Sequence, residues 1–565
     1  MGAGSQTKRV SHKLVSPAKA GAHGRVTLDP GLRRDDEDVN VAKRPRPQRN
    51  GDMMYFLNVC RLCTEILSIT MLMPAFSSIS FFDRLLRAIA TGLLLALVPL
   101  AHAADTVAGE VLVKLKNAAA LPSVLATYPG AVSTQFGSRP IYRLKLTAGS
   151  NVDTVVTNLR ANSDVLLAEP NTTNQSPEAR KNSAWAVGTP SAYVAQWAPT
   201  AMRLREAHLF TKGAGVKVAV LDTGIDLTHP AFTGKLLPGY DFVDGDSDPT
   251  EVLCTPAPCS TQGIAFGHGT HVAGLIALVA PSAKIIPYRV LDANGEGNAW
   301  VLAEALQRAI TDGADVINMS LGTATRTRIL ESITKLFQCE VPDSADPELD
   351  FSDSSYAADL TRCATSSGPV IVAAAGNDGS SSVNEYPARE GVKGLISVAA
   401  SNDSKHLANF SNFASWVQIA APGEGITSAV PPNTVAPQGY AVWSGTSMAA
   451  PLVSGAAALL RSVQPSLVPR DVVTRLQSLA TPLLTFAGQN SNIKQVDAAA
   501  LVETCNMDID GDGKVLPTTD GLILMRAMMG MTGTAVSSAA APGSPRSDWL
   551  IIRQFLVNAC GMTLP

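Results

Sequence analysis

Apolar and polar positions alternate in a regular way between residues 184 and 500. Short apolar runs predict strands, and apolar positions at helical spacing predict the helices between them. The predicted strands cover 216–221, 284–290, 315–319, 370–374, 395–399 and 417–420, and the predicted helices cover 268–279 and 299–310. This alternation predicts an α/β fold with a parallel sheet flanked by helices. Residues that carry chemistry are then expected just beyond the carboxyl ends of the strands.

A second pattern covers residues 109–171. Apolar and polar residues alternate at 110–116 and 141–146, apolar positions within 151–161 recur at helical spacing, and 164–168 is one more short strand. This order predicts a small α+β module. The segment 171–183 that follows is rich in Asn, Thr and Ser, so we expect an exposed linker of the kind that proteases cut.

The first hundred residues lack the pattern of a folded domain. We interpret residues 1–72 as a leader upstream of the true start, with disorder as the alternative. Residues 73–103 contain two arginines, an apolar run at 88–100 and a small-x-small site at 101–103, which are typical of a secretory signal peptide. The run is too short to span a membrane, so we expect no span in the mature protein. The expected location is extracellular, with the periplasm as the alternative.

Composition narrows the class of protein. Hydrophobic residues make up 46% and charged residues 16% of the 565 residues, which suits a globular chain with a large core. The formal net charge of -3 argues against a nucleic-acid partner, because such proteins normally present a basic face. We expect a monomer.

Cysteines give the redox setting. Eight are present, and six of them follow the predicted signal peptide. An even number in an exported chain favours disulfides, and proximity in sequence suggests Cys254–Cys259, Cys339–Cys363 and Cys505–Cys560. A zinc site is the alternative, but none of these six has the C-x-x-C spacing that zinc modules favour.

Three segments place chemically capable residues at strand ends or helix starts. They are AVLDTGID with Asp222, GHGTHVAG with His268 and SGTSMAAP with Ser447. Taken singly, these residues could be a turn Asp, a structural His and a helix-capping Ser. Taken together, they supply a nucleophile, a base and an acid that orients the base.

The residue sequences of these segments and their order along the chain resemble the signature blocks of the subtilisin-like (subtilase) serine peptidases. The resemblance covers about 184–500 and implies an endopeptidase with Asp222, His268 and Ser447 as its triad and no cofactor for catalysis. A fourth block, AAAGND, implies that Asn377 donates to the oxyanion together with the Ser447 backbone N–H. Alone, Asn377 would indicate only a turn.

The resemblance also implies residues that bind substrate. Ser320, Leu321 and Gly322 resemble one edge of the cleft and Gly295, Glu296 and Gly297 the other, between which an extended protein or peptide substrate would add as a strand. Glu385 resembles a position at the base of the first specificity pocket that is often small in the family. We hypothesise that Glu385 favours a basic P1 residue by charge pairing. The alternative is that it points to solvent.

Residues 109–171 resemble the I9-type propeptide that precedes subtilases. The resemblance implies a folding chaperone and intramolecular inhibitor that is removed by self-cleavage between about Asn171 and Trp185. An ordinary accessory domain is the alternative.

Residues 505–565 form a third predicted unit, which resembles a dockerin-like or EF-hand-type loop followed by a helix. The candidate calcium ligands are Asp508, Asp510, Asp512, Lys514 and Asp520. The twelfth loop position is Thr519, so Asp520 would need a one-residue bulge to take part. A non-binding Asp/Gly turn is the alternative. A second loop is missing, which argues against docking to a cohesin-like partner.

Two other functions compete with a serine peptidase. His268 and His271 lie three apart and could support metal-dependent hydrolysis, although no H-E-x-x-H motif supplies a glutamate base. The chain could also be a catalytically degenerate secreted binding protein with a calcium module. The presence of the whole triad and of Asn377 argues against this alternative.

Overall fold

A computed structural model describes residues 106–181, 185–253, 263–340, 351–365, 368–433, 435–484 and 492–565. All of them lie within one of the two units into which the chain divides, Pro99–Pro565. The predicted leader, the signal peptide and the Cys254–Cys259 pair lie outside the described residues. Among the helices that are described, none combines the length and apolar character that crossing a membrane requires.

The strands run in chain order through all three predicted regions. They are β1 (Thr106–Leu115), β2 (Val132–Gln135), β3 (Ile141–Lys145), β4 (Val165–Gln175), β5 (Ala186–Val187), β6 (Lys217–Asp222), β7 (Tyr240–Asp241), β8 (Lys284–Arg289), β9 (Glu296–Asn298), β10 (Val316–Met319), β11 (Val370–Ala374), β12 (Leu395–Ser401), β13 (Ile419–Pro422), β14 (Ile426–Ala429), β15 (Tyr440–Trp443), β16 (Thr481–Pro482) and β17 (Lys494–Gln495).

The α-helices connect and cover these strands. They are α1 (Leu121–Ala126), α2 (Val152–Arg160), α3 (Pro177–Lys181), α4 (Pro190–Ala195), α5 (Trp197–Ala201), α6 (Leu204–Ala207), α7 (His268–Val279), α8 (Ala299–Thr311), α9 (Arg328–Phe337), α10 (Ala357–Thr365), α11 (Thr446–Val463), α12 (Pro469–Ser478), α13 (Ala498–Val502), α14 (Leu522–Met528), α15 (Thr534–Ser537) and α16 (Trp549–Gln554).

The main sheet has the order β16-β17-β13-β12-β11-β10-β6-β8-β7. Its strand pairs are parallel from β7 to β17, and β16 pairs antiparallel at one edge. Successive side chains of a strand point to opposite faces. Val218 and Val220 of β6 therefore pack with α7 and α11, whereas Ala219 and Leu221 pack with α8 and α9. The predicted helix-covered parallel sheet is confirmed.

The N-terminal module forms an antiparallel sheet in the order β2-β3-β1-β4, with α1 and α2 on its own core. It packs on the face of the main sheet that α8 covers, where Phe136 meets Trp300 with ring centroids 5.8 Å apart. Arg139 also forms a buried bidentate ion pair with Asp359, with N···O distances of 2.9 and 2.8 Å. A small α+β module was predicted here, and the structure confirms it.

Residues 171–181, the part of the predicted linker that the structure describes, do not form an exposed linker. Strand β4 continues to Gln175, and Thr173, Asn174 and Gln175 pair antiparallel with β9. Helix α3 follows at once. The polar side chains are buried because the larger domain satisfies their hydrogen bonds, a compensation that composition does not reveal. The linker interpretation of residues 171–181 is therefore wrong.

The C-terminal unit packs α14, α15 and α16 around a small apolar core that includes Ile509 and Ile523. Disulfides join Cys505 to Cys560 in this unit and Cys339 to Cys363 in the larger one, so both predicted pairs are confirmed. Arg203 of the larger domain pairs with Glu503, just before this unit, at 2.8 Å and donates to Gln554 of α16 at 3.3 Å.

Candidate active site

Asp222 is the last residue of β6 and is fully buried at the carboxyl end of the sheet. Its Oδ1 accepts hydrogen bonds from the Thr223 N–H at 2.8 Å and from His268 Nδ1 at 2.7 Å. A buried carboxylate needs such partners, because an unpaired one costs several kcal/mol. The pairing fixes which His268 nitrogen carries a proton toward Asp222 and leaves Nε2 facing the cleft.

His268 is the first residue of α7, where glycines allow close packing. Gly267 before it has a φ of 94°, and a Cβ on Gly269 would collide with the carbonyl oxygen of Gly224. Only glycine accommodates both demands at low cost. The helix therefore approaches the end of β6 closely enough for His268 to reach Asp222.

Ser447 lies in the first turn of α11, beside the end of β10. Its hydroxyl is 3.3 Å from the carbonyl oxygen of Ser320, and its own carbonyl accepts from the Ser320 hydroxyl at 2.9 Å. Backbone N–H groups in a helix's first turn have no helical partners and can face an anion. Ser447 thus combines a nucleophilic oxygen with a local anion-binding backbone.

Asn377 follows β11, and Thr446 fixes its amide orientation. The Asn377 Oδ1 accepts from both the N–H and the hydroxyl of Thr446, each at 2.9 Å. The donor end, Nδ2, therefore points into the cleft, where it reaches the carboxylate of Glu178 at 2.8 Å. The Asn377 amide thus donates to an anionic group in the cleft.

Glu178, from α3, is the residue at this site that sequence reasoning missed. One of its carboxylate oxygens accepts from Asn377, and the other is 3.1 Å from His268 Nε2. A side-chain bond with Ser447 completes its set of contacts, and a Cβ on Gly445 would overlap the carboxylate. No pattern could have found it, because a single glutamate in a polar stretch resembles solvated surface.

The two carboxylates change the electrostatics of His268. Burial alone would lower the pKa of His268, but Asp222 and Glu178 outweigh it and raise that pKa to about 10. Burial would likewise raise the pKa of Glu178, but bonding to His268, Ser447 and Asn377 holds it below its ordinary value. The imidazole is therefore charged at neutral pH and cannot accept a proton while Glu178 is in place.

We expect the Glu178→Gln proform to lose its N-terminal module faster than the wild type near pH 7. The pKa of His268 is raised, so the ion pair's contribution is present at neutral pH and is lost as pH rises toward 10. The pKa of Glu178 is lowered, so the contribution is lost again in acid. The glutamine removes the contribution of this ion pair at every pH. The measurement is the rate at which the mature fragment appears, from pH 5 to 10.

Asp153→Asn is the matched control for this prediction. Asp153 is exposed on α2 of the same module, and the change removes one carboxylate without touching the cleft. Its processing rate should follow the wild type. Equal rates for Glu178→Gln and Asp153→Asn at neutral pH would contradict an inhibitory role of Glu178.

The chain's own segment lies between the two predicted cleft edges. On one side β9, which holds Glu296 and Gly297, pairs with β4. On the other, Gln175 and Gly322 exchange two backbone hydrogen bonds of 2.9 Å. The predicted edge residues are therefore brought together around one extended strand, which is how a substrate would add to them.

Glu385 is fully buried between two glycines of the cleft. A Cβ on Gly322 would collide with its Oε1, and one on Gly376 would come within 3.0 Å of its Oε2. Arg180 of α3 reaches into this space and pairs with Glu385 Oε1. Burial raises the pKa of Glu385 to about 7, although Arg180 opposes the rise. The expected alternative, a side chain pointing to solvent, does not hold.

His271 and Glu251 are buried groups beside the triad with other partners. His271 stacks on Trp443 at 5.2 Å, and burial lowers its pKa to about 3, so it is neutral. Glu251 bonds the hydroxyls of Thr223 and Thr270 and accepts the Gly267 N–H at 2.7 Å. It therefore links the turn after Asp222 to the start of α7, a role that its sequence context did not indicate.

The C-terminal loop brings three carboxylates together. Oxygens of Asp508, Asp510 and Asp520 lie within 4.8 Å of one another, and within the described ranges this is the one group of three or more such side chains. Asp512 is not in this group, and its carboxylate accepts the Lys514 N–H at 2.8 Å. Asp520, one residue after Thr519, is therefore brought next to Asp508 and Asp510.

Comparison with known proteins adds independent findings. A family model described as the subtilase family matches residues 213–498, about half of the chain, and one described as the fervidolysin N-terminal prodomain matches 97–171. The thermophilic serine proteinase of Bacillus sp. (strain AK1) is 36% identical over 370 residues, which cover 63% of this chain and 78% of that protein. Thermitase of Thermoactinomyces vulgaris is 34% identical over 277 residues, covering 47% and 82%.

One solved structure spans both the module and the larger domain. Fervidolysin from Fervidobacterium pennivorans, a keratinolytic enzyme related to subtilisin, covers 72% of this chain and 62% of its own. The TM-score is 0.54 and the identity 23%, which shows a shared fold. The fold and these relatives define a serine-type endopeptidase with an N-terminal prodomain. The chain belongs to the subtilase family. The metal-dependent hydrolase considered as an alternative is therefore wrong.

Proposed function

We propose that the protein hydrolyses peptide bonds through an acyl-enzyme, with Asp222, His268 and Ser447 as its triad. Ser447 Oγ attacks the scissile carbonyl carbon and gives its proton to His268 Nε2. The imidazolium returns the proton to the amine as the C–N bond breaks. Water then attacks the acyl group by the same proton path. The observation that carries the proposal is the 2.7 Å bond from His268 Nδ1 to Asp222, with Nε2 directed at Glu178, whose carboxylate also bonds Ser447.

The oxyanion of each tetrahedral intermediate would lie between Asn377 Nδ2 and the Ser447 backbone N–H. The support is the Glu178 carboxylate, which accepts from Asn377 at 2.8 Å and also bonds the Ser447 side chain. A donor that is already oriented needs no rearrangement as charge develops, and this is why such groups stabilise the transition state.

The enzyme is further proposed to be made as an inhibited, exported precursor. Its domains would be a leader (1–72), a signal peptide (73–103), the propeptide (109–171), the peptidase (184–500) and a calcium module (505–565). Self-cleavage would fall between Asn171 and Trp185. The support is Glu178, which holds His268 charged and fills the anion site, while helix α3 presents no extended peptide bond to Ser447.

A fluorophosphonate probe tests the triad directly, because it phosphonylates only an activated serine. The processed protein should be labelled on Ser447, as read by peptide mapping, and Ser447→Ala should not be labelled. Ser444→Ala, three residues earlier and just before α11, is the matched control and should keep the label. A folded protein that takes up no label and cleaves no casein would instead be the degenerate binding protein.

Calcium is proposed to bind at Asp508, Asp510 and Asp520, with Asp512 and the Lys514 carbonyl completing the loop. The fit rests on the three converging carboxylates and on Gly511 and Gly513, whose φ of 77° and 85° allow the tight turn. When bound, the ion would neutralise their mutual repulsion and stabilise the fold.

We therefore expect calcium to raise the Tm of the full chain less in Asp520→Asn than in the wild type, because one ligand charge is lost. Differential scanning fluorimetry with calcium and with chelator measures the difference. Asp403→Asn, an exposed carboxylate far from this loop in sequence, is the control. An unchanged calcium-dependent shift in Asp520→Asn would rule out this site.

A further inference from the structure

The chain's own N-terminal segment marks where the side chain of a bound peptide would lie. Gln175 is paired to Gly322 by two backbone bonds, so the polypeptide enters the cleft as an added strand. Five residues later Arg180 pairs with Glu385, whose carboxylate lies against Gly322 and Gly376. The carboxylate next to Gly322 therefore already holds a basic side chain.

The surroundings of Glu385 leave this carboxylate poorly compensated unless a cation is present. It is fully buried, and its Oε2 has no hydrogen-bond partner among the described residues. The charged groups that act on it are Arg180, which favours its ionised form, and Asp378 and Glu178, which oppose it. A cut between Arg180 and Trp185, within the proposed range, would remove Arg180 together with the N-terminal module. The vacated pocket would then present one acid, with an unpaired oxygen, to the incoming side chain.

An apolar P1 residue would fill this pocket at a cost, because it would leave the buried carboxyl group without a hydrogen-bond partner, whether ionised or protonated. An arginine fork can satisfy both oxygens of a carboxylate, whereas a lysine offers a single ammonium group. Specificity gained this way is strong, since a wrong substrate leaves a buried polar group unpaired.

We propose that Glu385 makes this enzyme cleave after basic residues, with arginine preferred over lysine. The proposal rests on the proposed function and names its substrate class: proteins and peptides with an exposed Arg or Lys at P1. Arg180 in the precursor is the chain's own occupant of that pocket. The rival interpretation is that Glu385 only anchors Arg180 in the precursor and has no effect on substrates.

The test uses the processed enzyme and peptides that differ only at P1, with Arg, Lys, Leu or Phe. Arg should exceed Leu and Phe in kcat/KM by at least about 100-fold, with Lys between them. In Glu385→Gln, kcat/KM for Arg should fall by about 10- to 100-fold while that for Leu stays within a few-fold, because only a charge-assisted contact is removed. Asp403→Asn, an exposed carboxylate outside the cleft, should leave all four values unchanged.

A second readout does not depend on the variant folding. Benzamidine, an aryl cation, should inhibit the wild type at least tenfold more strongly than its neutral counterpart benzamide. If the wild type cleaves Leu or Phe peptides as well as Arg peptides, or does not distinguish the two inhibitors, the basic specificity is overturned while the serine peptidase stands. If Ser447 takes no fluorophosphonate label, the proposed function itself fails.

Discussion

Asp222→Asn is expected to lower kcat by about 10⁴-fold at neutral pH, with KM nearly unchanged. Asp222 accepts the Nδ1 proton of His268 at 2.7 Å and lies buried behind the imidazole, away from the cleft. An asparagine can turn its NH₂ toward Nδ1. The ring proton then moves to Nε2, which can no longer take a proton from Ser447. Steady-state kinetics on a peptide substrate measures the loss.

The control for this change is Asp226→Asn, four residues along the same turn. Asp226 is partly exposed and accepts from Thr228, so the variant should keep wild-type kcat. Circular dichroism on both variants checks that they fold. If Asp222→Asn retained kcat within tenfold of the wild type, Asp222 could not be the residue that orients His268.

Asn377→Leu should lower kcat by about 10² to 10³-fold, again with little change in KM. Leucine is close to asparagine in size but has no N–H for the oxyanion. The ground-state carbonyl depends on this donor less than the charged intermediate does, so binding should be spared. The measurement is kcat and KM for the same peptide, with Tm followed to confirm folding.

Thr446→Val provides a graded companion to this prediction. The valine removes the hydroxyl that bonds Asn377 Oδ1, but the backbone N–H of residue 446 still holds that oxygen. We therefore expect a smaller loss of kcat than in Asn377→Leu. A loss of equal size in both variants would mean that the two residues act through packing rather than through one oriented donor. An Asn377→Leu enzyme with full kcat would remove Asn377 from the oxyanion site.

Several features could be predicted from local sequence because local physics decides them. Helix α7 begins at His268 and β11 covers 370–374 as predicted, since apolar periodicity directly reflects which faces are buried. The three signature segments end strands or begin helices, so their positions at the edge of a parallel sheet follow from the fold class. Cys339–Cys363 and Cys505–Cys560 followed from proximity in the chain.

For residues 171–181, local sequence gave the wrong prediction. Their polar composition predicted solvent exposure, yet Asn171, Ser176 and Glu178 are buried. A polar side chain is buried at low cost only if partners meet it, and here partners of Asn171 and Glu178 come from Asn298 and Asn377, more than a hundred residues away. No local pattern carries that information.

The sequence by itself determined the family, the order of strands and helices, and the identity of the candidate triad. These depend on short motifs and on the periodicity of apolar residues along the chain. Only the tertiary structure decided that Glu178 lies between His268 and Asn377, and that Glu385 is buried at the base of the cleft facing Arg180. Both are long-range pairings of charges. Their energies depend on burial and on distance in space, and neither quantity is written in the linear order of the residues.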